Sequence, residues 1–190
     1  HETVVLFGRY DAPYLLRHLA ERLGTTPVKE IVDRHLPGVE QDHGNLLPAL
    51  TELLEGPCAQ AGNHGAKPVL LVLDDFEQAL DAQDHRTLKP EYFSSIRALL
   101  LAFQHATTAS SLLFTCRFRF TCPHNGQDLA DQDHLRDVPL HGMNEREAQK
   151  QAGAKLRLPE VARLVAKLPE KRRKALKGQI ERIIASARGN

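Results

Sequence analysis

Two adjacent carboxylates close a short apolar run. Val69-Leu-Leu-Val-Leu73 leads directly into Asp74 and Asp75. An unbroken apolar run of this length predicts a strand buried on both faces, as in a parallel sheet under helices. Acids at the end of such a strand stand at the C-terminal edge of the sheet, where open α/β sheets take their ligands. There, one carboxylate can hold the water shell of Mg²⁺ on a phosphate chain. The other, or Glu77 two residues on, can orient or deprotonate an attacking water. A strand-end aspartate also caps the turn that follows it, so Asp75 admits a purely structural role. A second apolar run, Leu112–Cys116, ends in Arg117.

The segments that would position these residues alternate between strand and helix patterns. Glu2–Phe7 is rich in β-branched residues and closed by Gly8, which predicts a strand. Asp11 is placed to cap a helix with Pro13 in its first turn. Leu15, Leu16, Leu19, Ala20 and Leu23 share its apolar face, and Gly24 ends it. A second helix follows Thr26-Pro27, carries Val28, Ile31, Val32 and Leu36, and is expected to stop at Pro37-Gly38. After a polar loop at residues 40–45, a third helix carries Leu46, Leu47, Leu50, Leu53 and Leu54 up to Gly56-Pro57. Glu77–Ala82 reads as a turn of helix, and Gln83–Lys89 as an exposed loop. An amphipathic helix starts at Pro90, with Phe93, Ile96, Leu99, Leu100 and Phe103 inward. Residues 118–136 read as polar and irregular, and Asp137–Leu140 as a short edge strand at most. Beyond Met143 the pattern is helical only. Asn144 can cap a helix over 145–153 with Glu147 completing a capping box, and Pro159 and Pro169 open two more. Strands alternating with helices predict an α/β fold with a parallel sheet, followed by a small all-helical subdomain.

Composition narrows the class. The 190 residues are 42% hydrophobic and 26% charged, ordinary for a soluble globular chain. No run approaches the roughly 18 apolar residues of a membrane span, and no signal peptide is visible. Three irregularly spaced cysteines, Cys58, Cys116 and Cys122, predict reduced thiols and a cytoplasmic setting. The overall charge of +1 hides an asymmetry. Residues 167–188 hold eight Lys/Arg against two Glu, a local +6, which leaves −5 for the remainder.

The order of these features resembles the STAND class of P-loop NTPases, which includes the NACHT and NB-ARC ATPases of signalling and defence proteins. Leu70-Leu-Val-Leu-Asp-Asp75 looks like the Walker B strand, and Leu112-Leu-Phe-Thr-Cys-Arg117 like the sensor strand. Val138-Pro-Leu140 followed by Met143-Asn-Glu-Arg-Glu-Ala148 looks like the entry to the helical domain, and Ala187-Arg-Gly-Asn190 like the start of its Gly-x-Pro segment. The resemblance implies a partial P-loop NTPase core over residues 1–140 and the start of a helical subdomain over residues 141–190. It implies that Asp74 binds Mg²⁺ through water, that Asp75 polarises the attacking water, and that Arg117 senses the γ-phosphate, with Arg119 a rival for that task. ATP and Mg²⁺ would be the cofactors of the intact protein. The departure is the phosphate loop, since no G-x-x-x-x-G-K-[ST] occurs. The chain is expected to be a piece cut downstream of that loop, inactive and without bound nucleotide by itself. A true absence of the loop would instead make it a non-catalytic scaffold of NTPase fold.

Other signals carry less. Cys116, Cys122 and His124 lack the close pair of a zinc site. No G-x-S-x-G elbow and no G-x-G-x-x-G is present. The basic segment from Lys167 to Arg188 fits a solvated helix face, or a DNA-associated ATPase that tracks a phosphate backbone. Expected partners are other domains of the same polypeptide and further copies of the chain, with no membrane.

Overall fold

The apolar run at residues 69–73 forms the middle of a three-stranded parallel sheet. In the computed structural model the described residues are 2–60, 67–131 and 133–138, with 165, 167, 169, 170, 172, 175, 176, 178 and 179 beyond them. Strand β1 is Glu2–Phe7, β2 is Val69–Asp74 and β3 is Ser111–Phe114, in the order β1-β2-β3. Helices α1 (Ala12–Leu23), α2 (Thr26–Gln41) and α3 (Leu46–Glu55) lie between β1 and β2, and α4 (Pro90–His105) lies between β2 and β3. The fold is thus α/β, as the alternation of patterns predicted.

Local chemistry sets the element ends. The Asp11 carboxylate accepts from the Tyr14 N–H at 3.1 Å and caps α1, while Gly24 turns the chain out of it at φ +64°. One boundary differs from expectation. Helix α2 does not stop at Pro37 but runs through it to Gln41, so the loop predicted at residues 40–45 is reduced to a 3₁₀ turn at His43–Asn45. The buried Val39 explains this, since continuing the helix places that side chain in the core.

The register decides which residues face the helices. Val4 pairs with Leu71 and Leu6 with Leu73, and all four are buried. The alternate positions Val5, Val72 and Leu113 are also in register across the three strands. Val5 and Leu113 are 46% and 43% exposed, and Phe7 is 62% exposed. Among the described residues the other face of β2 is only half-buried, at Leu70, Val72 and Asp74, which corrects the expectation of full burial on both. Handedness gives the reason. The connections β1→β2 and β2→β3 step across the sheet in the same direction, and right-handed crossovers of the same direction lay their helices on the same face. The strand predicted over Leu112–Cys116 likewise pairs only to Phe114 and has one exposed side.

The covered face converges on Phe76. Its ring meets Tyr10 at 5.4 Å, Phe114 at 4.8 Å and Phe120 at 4.7 Å between centroids, and it is fully buried. The segment expected to be irregular contains a small hairpin, β4 (Pro123–His124) with β5 (Gln127–Asp128), turned by Asn125 and Gly126 at positive φ.

The chain divides into two compact units, residues 1–136 and 137–190. In the second, the described positions 165, 170, 172, 175, 176, 178 and 179 are helical. Asp137 and Val138 are not in a strand. The remainder of the segment 137–140, the helix expected over 145–153, the motif Met143–Ala148, the closing Ala187–Asn190 and all the basic residues of the segment 167–188 except Lys167 and Arg172 lie outside the described residues. None of the described helices is long and apolar enough to cross a membrane.

Phe76→Ala is expected to destabilise the protein by about 3–5 kcal/mol, because the aromatic cluster around the ring cannot collapse into the space. Urea denaturation followed by circular dichroism measures it. A loss below about 1 kcal/mol would show that the cluster is not the anchor of this end of the sheet.

Candidate functional site

The three residues singled out from the sequence meet at one end of the sheet. Leu73 pairs with Phe114, so Asp74 and Thr115 stand side by side as β2 and β3 stop pairing. Thr115 ties that end together through each of its polar groups. Its N–H donates to the Leu73 carbonyl at 3.0 Å, and its carbonyl accepts from the Phe76 N–H at 2.9 Å. Its hydroxyl accepts from the Asp75 N–H at 2.9 Å and donates to Asp74 Oδ1. The Asp74 carboxylate is therefore half-buried and oriented, with one oxygen fixed by the neighbouring strand.

Asp75 is held differently. Its backbone is left-handed, φ +55° and ψ +43°, a conformation costing a non-glycine residue about 1–2 kcal/mol. Its side chain makes no cap to the following 3₁₀ turn, Phe76–Ala79, so the capping role foreseen for it is not the one it takes. Instead its Oδ2 accepts from the Gln78 amide. Gln78 fits there because residue 8 is glycine. A Cβ on Gly8 would lie 3.0 Å from Gln78 Oε1, and Gly8 has φ +69°. On the other side, the Tyr10 hydroxyl accepts from the Gly8 N–H at 3.1 Å and donates to the Asp74 carbonyl at 2.5 Å. Burial pushes this phenol above its ordinary pKa, which keeps it a neutral donor. Lys89 Nζ donates to the Gln78 carbonyl at 2.8 Å and brings a cation to the same turn.

Arg117 reaches the same edge but is already engaged. Its Nε donates to Glu77 Oε1 at 2.5 Å, with the arginine side chain 77% exposed and the glutamate 12%. Burial acts to raise the Glu77 carboxyl, but its own backbone N–H and Arg117 outweigh it and hold it below the usual carboxylate range. The Arg117 guanidinium also lies 5.9 Å from the centroid of the Phe118 ring, which stacks on His85 at 4.6 Å with planes 10° apart. His85 is presented by a loop that Asp84 closes by accepting from the Thr87 hydroxyl and N–H and from the Arg86 N–H. Those bonds, the Thr87 hydroxyl first, bring the Asp84 carboxyl down to about 2. Arg119 is exposed, two residues on.

Asp74, Asp75 and Arg117 are thus brought to one sheet edge, as expected from their positions after two strands. Among the described residues no group of three His, Cys, Asp or Glu side chains could hold a metal ion directly. Cys58 and Cys122 are buried thiols pushed up to about 11, Cys58 by burial and Cys122 mainly so, and the half-buried Cys116 is raised for the same reason. A shallow cleft between Glu2, Cys58 and Lys67 lies at the opposite, N-terminal edge of the strands and contains none of the candidate residues.

Sequence reasoning did not single out Thr115, Gln78, Tyr10 or the Glu77–Arg117 pair. Thr115 had one visible signal, a hydroxyl residue directly after a strand expected to neighbour the aspartate strand. The others depend on pairings that sequence spacing does not carry.

Comparison with known proteins adds no assignment, since no family model, no curated protein and no solved structure matches this chain.

Thr115→Val keeps the shape but strands the Asp75 N–H and frees the Asp74 carboxylate. It is expected to cost about 1–3 kcal/mol in urea unfolding, with Thr115→Ser retaining most of the stability. Equal losses for both variants would mean that packing, not the hydroxyl, holds the strand ends. The Asp84 carboxyl is expected to titrate near pH 2 by carbon-detected NMR. Its folded value lies below the unfolded one of about 3.9, so its contribution is present above about pH 4 and fades as pH falls through the folded value. Thr87→Val should move the midpoint up. An unchanged midpoint would contradict the assigned cause.

Proposed function

We propose that this chain is part of a STAND-type ATP-binding signalling switch, in which nucleotide state controls assembly or effector activation. The observation that carries the reading is the convergence of Asp74, Asp75 and Arg117 at the C-terminal edge of a parallel sheet, with the Asp74 carboxylate pre-oriented by Thr115. Asp74 Oδ1 is bound to Thr115, so a water-mediated contact to Mg²⁺ would fall to Oδ2. Asp75, strained and held by Gln78, would orient the attacking water. Arg117 would meet the γ-phosphate. Bound Mg²⁺ would neutralise phosphate charge.

The sheet also supports the reading through what it leaves open. Among the described residues no strand pairs with the outer edge of β3, and no helix covers the face carrying Val5, Phe7 and Leu113. The reading requires a phosphate loop outside these 190 residues, on a strand that precedes β1. Joined beyond β3, such a strand would reach β1 by a crossover in the reverse direction, and right-handedness would lay its helix on the open face. That placement would set the phosphate loop beside Thr115 and Arg117, where a reversal of strand order makes a ligand crevice. Joined beyond β1, it would crowd the covered face instead.

A second reading is a protein-interaction module that keeps the fold without using nucleotide. The Glu77–Arg117 pair favours it, because the arginine already has a counter-ion.

Calorimetry on the full-length protein separates the two. Mg²⁺-dependent ATP binding that is lost in Asp74→Ala/Asp75→Ala, with the variant still folded, is the expected outcome. A folded wild type that binds no nucleotide would leave the interaction module.

A further inference from the structure

Glu77 has no task in the scheme above, yet its side chain is largely buried at this edge and holds the group meant for phosphate. Its side chain is 12% exposed, and it stands in the 3₁₀ turn one residue after the buried Phe76. The turn fixes it, since the Gln78 N–H donates to the Asp75 carbonyl and the Leu80 N–H to the Glu77 carbonyl, both at 3.1 Å. Arg117 by contrast is a long, exposed side chain with rotamers to spare. The ion pair therefore has one fixed member and one mobile member. The mobile one also leans toward Phe118, whose ring is stacked on His85.

We infer that Glu77 is a positioning residue that stores Arg117 against the sheet edge, and that a phosphate-bearing ligand must displace Glu77 to engage the arginine. The inference deepens the nucleotide reading and rests on it, in that the ligand is a polyphosphate arriving at the ends of β2 and β3. The competition is between two anions for one guanidinium fork. Glu77 is tethered and needs no association, whereas the phosphate pays for its own immobilisation and carries more charge. The stored state thus keeps Arg117 occupied when no ligand is present and sets a threshold for weak or singly charged anions. On displacement, Glu77 keeps the bond from its backbone N–H, which limits the penalty of leaving a buried carboxylate without its arginine.

The test is calorimetric titration of full-length protein with tripolyphosphate and, separately, with Mg²⁺-ATP. Glu77→Gln keeps the size and removes the charge; Glu77→Ser is the second variant should the first not fold. Removing the carboxylate also removes its repulsion of the incoming anion, so the storage role is read from the part of the gain that depends on Arg117. The expected result is binding tighter by about three- to tenfold for either charge-removing variant, the range of an exposed to half-buried ion pair. In the Arg117→Gln background the further change Glu77→Gln should give a clearly smaller gain over Arg117→Gln alone. An equal gain in both backgrounds would overturn the storage role, and Glu77→Asp should stay near wild type. Mg²⁺-ATP binding with no gain in Glu77→Gln overturns the storage role and leaves the nucleotide reading standing. A gain for tripolyphosphate in a protein that does not bind Mg²⁺-ATP keeps the storage role and overturns the nucleotide reading. No binding of either ligand by any folded variant overturns both.

Discussion

The structure at the candidate site depends on one hydroxyl. Thr115 Oγ1 stands between the ends of β2 and β3, accepting from the Asp75 N–H and donating to Asp74. Without it the Asp74 carboxylate would lose its tie to the neighbouring strand end and the Asp75 N–H its acceptor. With it the last residue of β2 is oriented by β3, and the left-handed turn at Asp75 is pinned at its nitrogen. A hydrogen bond of this kind contributes about 1 kcal/mol net, comparable to the cost of the left-handed conformation it secures. Phe76 supplies the rest. Its buried ring, immediately after Asp75, ties the strained residue to the aromatic cluster below the sheet. Strain at a site and over-determination around it are thus adjacent in sequence, the usual condition for strain to persist.

The one-sided sheet follows from a different constraint. Two successive crossovers in the same direction place all their helices on one side, and the register then sends Val4, Leu6, Leu71 and Leu73 inward and Val5, Val72 and Leu113 outward. A parallel sheet is ordinarily covered on both faces. Among the described residues, the open face and the unpaired outer edge of β3 lie beside the acids at the strand ends. The Glu77–Arg117 pair gives the same edge a resting state, with the arginine stored rather than exposed to any passing anion.

Much of this was legible in the sequence. The strands ending in Asp74 and before Arg117, the Asp11 cap and the Gly24 stop follow from local chemistry, and they are found where that chemistry puts them. Pro37 misled because its local rule was outweighed by burial of Val39 two residues on. The burial of β2 was overestimated because Val, Leu and Leu read alike whether one face or two are covered, and only the direction of both crossovers decides. Thr115, Gln78 and Tyr10 were not legible as site residues. Their roles come from contacts spanning 41 residues to Asp74 from Thr115 and 64 from Tyr10, and Gln78 depends on a missing Cβ at Gly8. The single cue was the hydroxyl after the second strand.

The measurement that bears most directly on the central claim is a crystal structure of the full-length protein with Mg²⁺ and a non-hydrolysable ATP analogue. The account predicts the phosphates at the C-terminal ends of β2 and β3, with Asp74 reaching Mg²⁺ through water, Thr115 still bound to Asp74, and Arg117 turned from Glu77 to phosphate. It also predicts a strand beyond β3 whose crossover helix covers Val5, Phe7 and Leu113. Nucleotide bound elsewhere, or a partner domain packed over Asp74 and Asp75 with Arg117 still on Glu77, would contradict it.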